Sequence, residues 1–198
     1  MPPRNIAAKK AVFALLLVVI VCFAGPGQTA AQDAPSPEQE RFSNLEKSIP
    51  DEPAARFHRL GELAQAAYDA GDLNKAENYA DELLSSAPHY AGDWAYGDAI
   101  FTGNTVAGLV AIKRDHNLSQ AEGYLLASGR TPGSPRLDSF GPGMRLAQEL
   151  LTAGERTAVL DFLRECQSFW KMGDARLASW SEAIRAGQAP DFGPNLKY

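Results

Sequence analysis

Few residues of this chain have the types and the spacing that catalysis or metal binding requires. Its three histidines, His58, His89 and His116, lie in separate segments, and no two stand one helical turn apart with an intervening acid, as in helical metal sites. The chain has no Gly-x-Ser-x-Gly nucleophile elbow and no phosphate-binding loop that ends in Gly-Lys-Ser or Gly-Lys-Thr. The sequence therefore predicts no metal and no other cofactor, and it does not indicate an enzyme.

Two features of the sequence could take part in catalysis, the thiol of Cys166 and the segment 129–143. Cys166 has the apolar neighbours Phe162, Leu163 and Phe169 on a predicted helix, and burial among them would oppose a nucleophilic role. The segment 129–143 contains four glycines and three prolines, which predicts a connection without helix. The side chains of that segment that could hold an anion or a peptide terminus are Ser134, Arg136, Ser139 and Phe140. Alternatively, the segment only bridges two elements, with Leu137 and Phe140 fixed in the core.

The elements that must position these residues are amphipathic helices. Apolar residues spaced three and four apart stand on both sides of the turn at 71–74, and this arrangement recurs around 116–119 and 154–157. Asn74, Ser119 and Thr157 occupy the same place after each turn, so they are expected to cap the second helix of each pair. In the first two pairs an acid follows three residues later, which predicts a capping box; these acids are Glu77 and Glu122.

The first hairpin resembles the tetratricopeptide repeat (TPR), because Gly71, Ala76 and Pro88 match its turn glycine, its early alanine and its closing proline. The resemblance covers residues 57–90 well, and 99–132 and 143–170 in part. It implies a right-handed α-solenoid of about three TPR-like hairpins, followed by a capping helix at about 173–186. The segments 131–142 and 190–193 are similar to those of a group of uncharacterised exported bacterial proteins.

In the TPR family the first helices of each pair line a concave groove that holds a peptide or protein partner. The groove residues that this resemblance implies here are His58, Gln65, Tyr68, Asp69, Lys113, Arg114 and Gln148. Trp94 and Tyr96, in an aromatic insertion, and Arg136 and Phe140, in the Gly/Pro-rich segment, are further candidates for binding. The simpler alternatives are a solvated helix end for Lys113 and Arg114 and a place in the core for the aromatic residues.

The N-terminal residues have the order of a secretory signal peptide. Basic residues precede the apolar run 11–24, and small residues follow it, which predicts cleavage after Ala31. An uncleaved membrane anchor is the alternative, and lipid attachment at Cys22 is a third interpretation, although Val21 does not fit it. Without residues 1–31 the chain keeps 16 basic and 24 acidic residues, a net charge of −8, which argues against nucleic acid or an anionic membrane as partner.

These observations divide the chain into a signal peptide (1–31), an acidic, proline-containing linker with a short helix at about 37–48 (32–55), a TPR-like domain (56–186) and a tail expected to pack on the repeats (187–198). The function they favour is an exported, periplasmic or secreted module that binds a peptide or protein. The alternatives are an envelope hydrolase that uses the 129–143 segment, and a structural envelope component that self-associates.

Overall fold

The computed structural model of the protein describes residues 34–197, so the predicted signal peptide lies outside the described residues. Within 34–197 the chain forms nine α-helices and no β-strand, which confirms the all-α prediction. The helices are α1 (Pro37–Lys47), α2 (Pro53–Asp69), α3 (Leu73–Ser86), α4 (Tyr96–Asp115), α5 (Leu118–Gly129), α6 (Pro135–Phe140), α7 (Arg145–Ala153), α8 (Arg156–Cys166) and α9 (Asp174–Arg185). Short 3-10 turns lie at Ala87–Tyr90, Lys171–Gly173 and Gly193–Leu196. Among the helices of residues 34–197, none combines the length and the apolar character needed to span a lipid bilayer.

The first helix, α1, begins at a capping box. The Ser36 hydroxyl accepts a hydrogen bond from the Gln39 amide, and the Gln39 side chain accepts one from the Ser36 amide at 2.9 Å. Proline at position 37 suits the first helical position because its missing N–H would have no partner there. Phe42 is buried and meets the ring of Tyr79 on α3 edge-on, so α1 is held against the helices that follow it.

Three helix pairs are joined by turns of the same design. A residue just after the first helix has a positive φ in each case: Gly71 (81°), two positions after α2, and His116 (50°) and Gly154 (97°), directly after α4 and α7. A left-handed residue at this place reverses the chain, and glycine adopts it without steric cost. The second helix then starts at once, because its N-cap is the very next residue.

The predicted capping residues are therefore wrong by two positions. The N-caps are Asp72, Asn117 and Glu155 in place of Asn74, Ser119 and Thr157. The side chains of Asp72 and Asn117 accept hydrogen bonds from backbone amides three residues on, at 3.0 and 3.1 Å. The capping boxes predicted with Glu77 and Glu122 do not form, because Asn74 and Ser119, which would have to be their N-caps, already lie inside the helices.

Helix α4 lies at the centre of the described residues. It packs against α2, α3, α5 and α7, and α8 in turn contacts α5, α7 and α9. Nearly every residue of α4 from Gly97 to Ala111 is buried, and small residues make this possible. A Cβ added at Gly97 would lie 1.7 Å from the carbonyl oxygen of Gly133, and one at Gly108 would lie 2.4 Å from the side chain of Leu146. Glycine thus allows α4 to touch its neighbours closely on several sides.

The Gly/Pro-rich segment 129–143 is not free of helix, contrary to expectation. Pro135 occupies the first turn of α6, where proline is tolerated, and Ser134 Oγ caps this helix by accepting from the Leu137 amide at 3.1 Å. Leu137 is fully buried, whereas the Phe140 side chain is 57% exposed, so only Leu137 has the expected place in the core.

Aromatic residues fill the C-terminal end of the fold. Trp180 on α9 packs between Trp170 and Phe192, with ring centroids 5.8 and 5.1 Å away. Its indole N–H donates to the Asp191 carbonyl oxygen at 3.0 Å. Asn195 is buried and donates from its side-chain amide to the carbonyl oxygens of Phe140 (3.1 Å) and Pro142 (2.9 Å). These bonds fasten the chain after α9 to the connection between α6 and α7.

Candidate binding groove

An open groove of about 460 Å³ runs along α2 and α4. Its floor is lined by small or neutral residues, namely Gly61, Gln65, Ala95, Ala99 and Thr102, and by Phe57 and Leu83, which are buried in the core. The two helices lie close together at Gly61, where a Cβ would be 3.4 Å from the Thr102 methyl group, an ordinary van der Waals contact. The floor therefore presents helix surface with few large side chains in the way of a ligand.

The walls of the groove carry three ion pairs of one kind. In each pair a carboxylate on α2 or α4 meets an arginine from a peripheral element: Glu62 with Arg41 of α1 (3.3 Å), Asp69 with Arg145 of α7 (2.8 Å), and Asp98 with Arg136 of α6 (2.6 Å). Each arginine reaches in from an outer helix and neutralises an acid of the floor helices. Lys197 also lines the groove, from the segment after α9. The lining thus offers polar groups of both signs.

The mouth of the groove is formed where the segment 91–95 leads into α4. Trp94 is 64% exposed, and its ring centroid lies 5.2 Å from that of His58. Asp93 Oδ1 accepts from the Ala95 amide at 2.8 Å, and Asp93 Oδ2 lies 3.0 Å from His58 Nε2. The Ala95 N–H and, to a smaller degree, His58 lower the pKa of Asp93, so this carboxylate is ionised at neutral pH.

A second cluster adjoins the groove around Tyr68. The Lys113 ammonium and the Arg145 guanidinium lie 4.9 and 5.3 Å from the centre of the Tyr68 ring. Burial raises the pKa of Tyr68, which keeps the phenol protonated. Because Arg145 also pairs with Asp69, the cluster links α2 to α7 across one part of the groove.

No family model, curated protein or solved structure matches the chain. The functional argument therefore depends on the geometry of the described residues.

The structure brings some of the predicted binding residues to one place and separates others. Those that line the groove are Gln65, Asp69, Trp94 and Arg136, together with His58. Tyr68 and Lys113 lie in the adjoining cluster. Arg114 follows Lys113 by one residue and therefore lies on another side of α4, where its guanidinium pairs with Glu77 of α3 at 2.6 and 2.7 Å.

The remaining predicted residues do not line the groove. Tyr96 is half-buried against the apolar core near Phe57, Phe140 is at the end of α6, and Gln148 lies beside Thr152 on α7. Sequence reasoning missed the lining residues Arg41, Glu62, Asp98, Thr102, Arg145 and Lys197. Charged residues of both signs are common along any solvated helix face, so the sequence does not distinguish these groove residues from other surface residues.

Two of the groups considered for chemistry, Ser134 and Cys166, are engaged or buried, whereas Ser139 is exposed on α6. Ser134 is buried and caps α6, as described above. Cys166 is fully buried, and burial raises the pKa of its thiol well above the ordinary value. Among residues 34–197, no three His, Cys, Asp or Glu side chains are grouped so that they could hold a metal ion.

Proposed function

We propose that residues 56–186 form a right-handed α-solenoid of three TPR-like hairpins, α2–α3, α4–α5 and α7–α8, with α9 as its cap. Three turns of one design and the order of helix contacts support this proposal. The first helix of each later pair packs on both helices of the pair before it: α4 contacts α2 and α3, and α7 contacts α4 and α5. This is the order in which stacked hairpins bury their apolar faces.

We further propose that the protein is an exported interaction module that holds a peptide or protein segment in the groove along α2 and α4. The observation that carries this proposal is the open groove of about 460 Å³ with its floor of small residues and its walls of ion pairs. Arginine–carboxylate pairs retain unused N–H donors and lone pairs, so they can bond the amide groups of an extended segment. The order of basic, apolar and small residues in 1–31 supports export.

Binding agrees better with the groove than catalysis does. A hydrolase built on the 129–143 segment would need a nucleophile beside a general base, but Ser134 serves as a helix cap and Cys166 is enclosed by apolar side chains. Ser139 is exposed on α6, and the histidine hydrogen bonds of residues 34–197 join His58 to Asp93 and His89 to the Ser86 carbonyl oxygen, not to Ser139. The groove is formed by one copy of the chain. The self-associating alternative would need a surface that a second copy covers, and the groove does not require one.

The decisive experiment places a photo-crosslinking amino acid at Gln65, on the groove floor, in the source organism. The matched control carries it at Arg164, an exposed residue of α8. We expect a protein crosslinked from position 65 and not from 164. The captured protein, once purified, should bind the wild type and the Arg164→Trp variant equally, and should bind Gln65→Trp at least about ten-fold more weakly, because indole fills the groove. Equal binding to both variants would refute the proposal.

A further inference from the structure

The charged residues that line the groove include more cations than carboxylates. There are four cations, Arg41, Arg136, Arg145 and Lys197, against three carboxylates, Glu62, Asp69 and Asp98. Asp93, at the mouth, is engaged through both oxygens by the Ala95 amide and by His58. The lining therefore has a positive formal charge, whereas the net charge of the whole chain is −5. A groove whose sign is opposite to that of the chain favours an anion over a cation as its occupant.

Lys197 is the cation that gives the lining its excess of positive charge. The three arginines are each paired with one carboxylate of the lining, as described above. By contrast, the exposed Lys197 ammonium takes part in none of the ion pairs and side-chain hydrogen bonds formed among residues 34–197. An ammonium group has three donors, so the carboxylate of a ligand can bond it without breaking an existing ion pair.

Buried polar contacts fix the backbone beside Lys197 at the groove. Asn195, two positions earlier, is 1% exposed and makes three hydrogen bonds to residues 140–144 through its side chain and its carbonyl oxygen. These residues connect α6, which carries Arg136, to α7, which carries Arg145. Three of the lining cations therefore come from elements that are joined to one another, and the ammonium of Lys197 is the one that no carboxylate of residues 34–197 neutralises.

The floor of the groove adds neutral hydrogen-bonding groups. Thr102 is buried, and its hydroxyl makes no hydrogen bond within residues 34–197, whereas the Thr105 hydroxyl donates to the Phe101 carbonyl oxygen at 2.8 Å. The side-chain amide of Gln65 also has no partner in this part of the chain. A buried polar group without a partner carries a free-energy cost that a bound ligand can remove. Both side chains line the groove, so both can bond the amides of a peptide.

We propose that Lys197 forms a subsite for an aspartate or glutamate side chain, and that the segment held in the groove is acidic. The ammonium donates to the carboxylate of the ligand. Arg136 and Arg145 have further N–H donors beyond those used in their own ion pairs, so they favour the same sign of charge. This inference rests on the proposed function, because it names the chemistry of the segment that the groove binds.

The test compares hexaglutamate with hexaglutamine, a peptide of nearly the same shape without charge. Both peptides carry a neutral fluorophore at the N-terminus and an amide at the C-terminus, so that side-chain carboxylates are the one source of charge. Binding to the purified protein at low salt and neutral pH is followed by anisotropy. We expect hexaglutamate to bind at least about three-fold more tightly, although the net charge of the chain repels it.

Two lysine variants locate the site of the acidic peptide. Lys197→Gln should weaken hexaglutamate binding about two-fold to five-fold, the range for an exposed ion pair, and Lys197→Glu should weaken it at least about ten-fold because it adds repulsion. The matched control is Lys47→Gln, since Lys47 is exposed at the end of α1 and does not line the groove. Binding of hexaglutamine should be the same for all variants. Equal losses for Lys197→Gln and Lys47→Gln, or no preference for hexaglutamate, would overturn the proposal.

A labelled hexathymidylate separates an acidic peptide from other polyanions. Its charges are on phosphates, and it has no peptide amides for Gln65 and Thr102 to bond. We therefore expect it to bind more weakly than hexaglutamate and to lose less on Lys197→Gln. Hexathymidylate binding as tight as that of hexaglutamate would overturn the assignment of the site to a peptide.

The same variants distinguish this inference from the proposed function. If the protein captured from position 65 binds Lys197→Glu as tightly as wild type, the carboxylate subsite is refuted while the groove function stands. If position 65 captures nothing but hexaglutamate binding depends on Lys197, the carboxylate subsite stands and the interaction function falls.

Discussion

The groove along α2 and α4 and the C-terminal end of the fold are built from opposite kinds of side chain. Around Trp180, large aromatic and aliphatic side chains fill the space between α8, α9 and the chain that follows them. Along α2 and α4, small residues leave the space open and arginines from outer helices neutralise the acids. Burial of aromatic area contributes far more free energy than solvated ion pairs do. The comparison teaches that the aromatic end contributes more to the stability of the fold than the open groove does.

The largest expected effect comes from two tryptophan variants that test this contrast directly. Trp180→Ala should lower the free energy of unfolding by about 4 kcal/mol, because it leaves a cavity beside Trp170 and Phe192. Trp94→Ala should change it by less than about 0.5 kcal/mol, since that side chain is mostly exposed. Urea denaturation followed by circular dichroism measures both. Similar losses for the two variants would show that the groove mouth also carries stability.

Substitution of Gly97, where α4 touches the segment before α6, should give the next largest effect. Gly97→Ala forces a Cβ against the Gly133 backbone, so it should cost about 3 kcal/mol through displacement of α4 or of the segment before α6. The control is Gly123→Ala in α5, where a Cβ meets open space and the better helix propensity of alanine should stabilise by about 0.5–1 kcal/mol. A Gly97→Ala protein as stable as wild type would contradict the close approach.

Asn195→Ala tests how the last residues are fastened. It removes the donors to the carbonyl oxygens of Phe140 and Pro142 at a buried site, so we expect a loss of about 2 kcal/mol. Gln188→Ala, at an exposed position of the same segment, should have no measurable effect. Hydrogen exchange should also speed up at the Met144 amide, which donates to the Asn195 carbonyl oxygen at 2.7 Å. Unchanged exchange there would mean that the side chain does not hold the segment.

The smallest expected effect concerns an ion pair between α1 and α3, outside both the groove and the aromatic end, and depends on pH. Lys75 lowers the pKa of Glu46 below its ordinary value near 4.5, and the Tyr79 hydroxyl donates to the same carboxylate. Because the folded-state pKa is depressed, the stabilisation is complete above the ordinary value and is lost as the pH falls through the lowered one. Glu46→Gln should therefore lower the free energy of unfolding by less than about 1 kcal/mol at pH 7 and by a smaller amount at pH 3, as thermal unfolding at the two pH values measures. A difference that grows on acidification would contradict this sign.

The helical class could be predicted because it follows from local patterns. The apolar spacing of three and four residues and the capping box at Ser36 depend only on neighbours in the sequence. The N-caps were missed by two residues because a left-handed residue at Gly71, His116 or Gly154 lets the next helix begin at once. Segment 129–143 forms a helix against expectation because Pro135 lies in the first turn of α6, where proline is tolerated.

The groove was only partly predictable because its contacts join distant residues. Asp69 and Arg145 are 76 positions apart, and Asp98 and Arg136 are 38 apart. No local pattern records such pairing, and a charged residue that will line a groove looks like any solvated one. Gln65 was predicted from the resemblance to the TPR family and Trp94 from its residue type beside an insertion, which are signals that a single sequence does contain.

The central position of α4 has a consequence for how the protein comes apart. Arrays of hairpins commonly fray from one end, because each unit touches only its neighbours. Here α4 belongs to the middle pair and is buried against the pairs on both sides, so loosening either of them exposes part of this central helix. Denaturation of residues 35–197 should accordingly proceed as one sharp event, and a protease that nicks α4 should release no half that survives by itself.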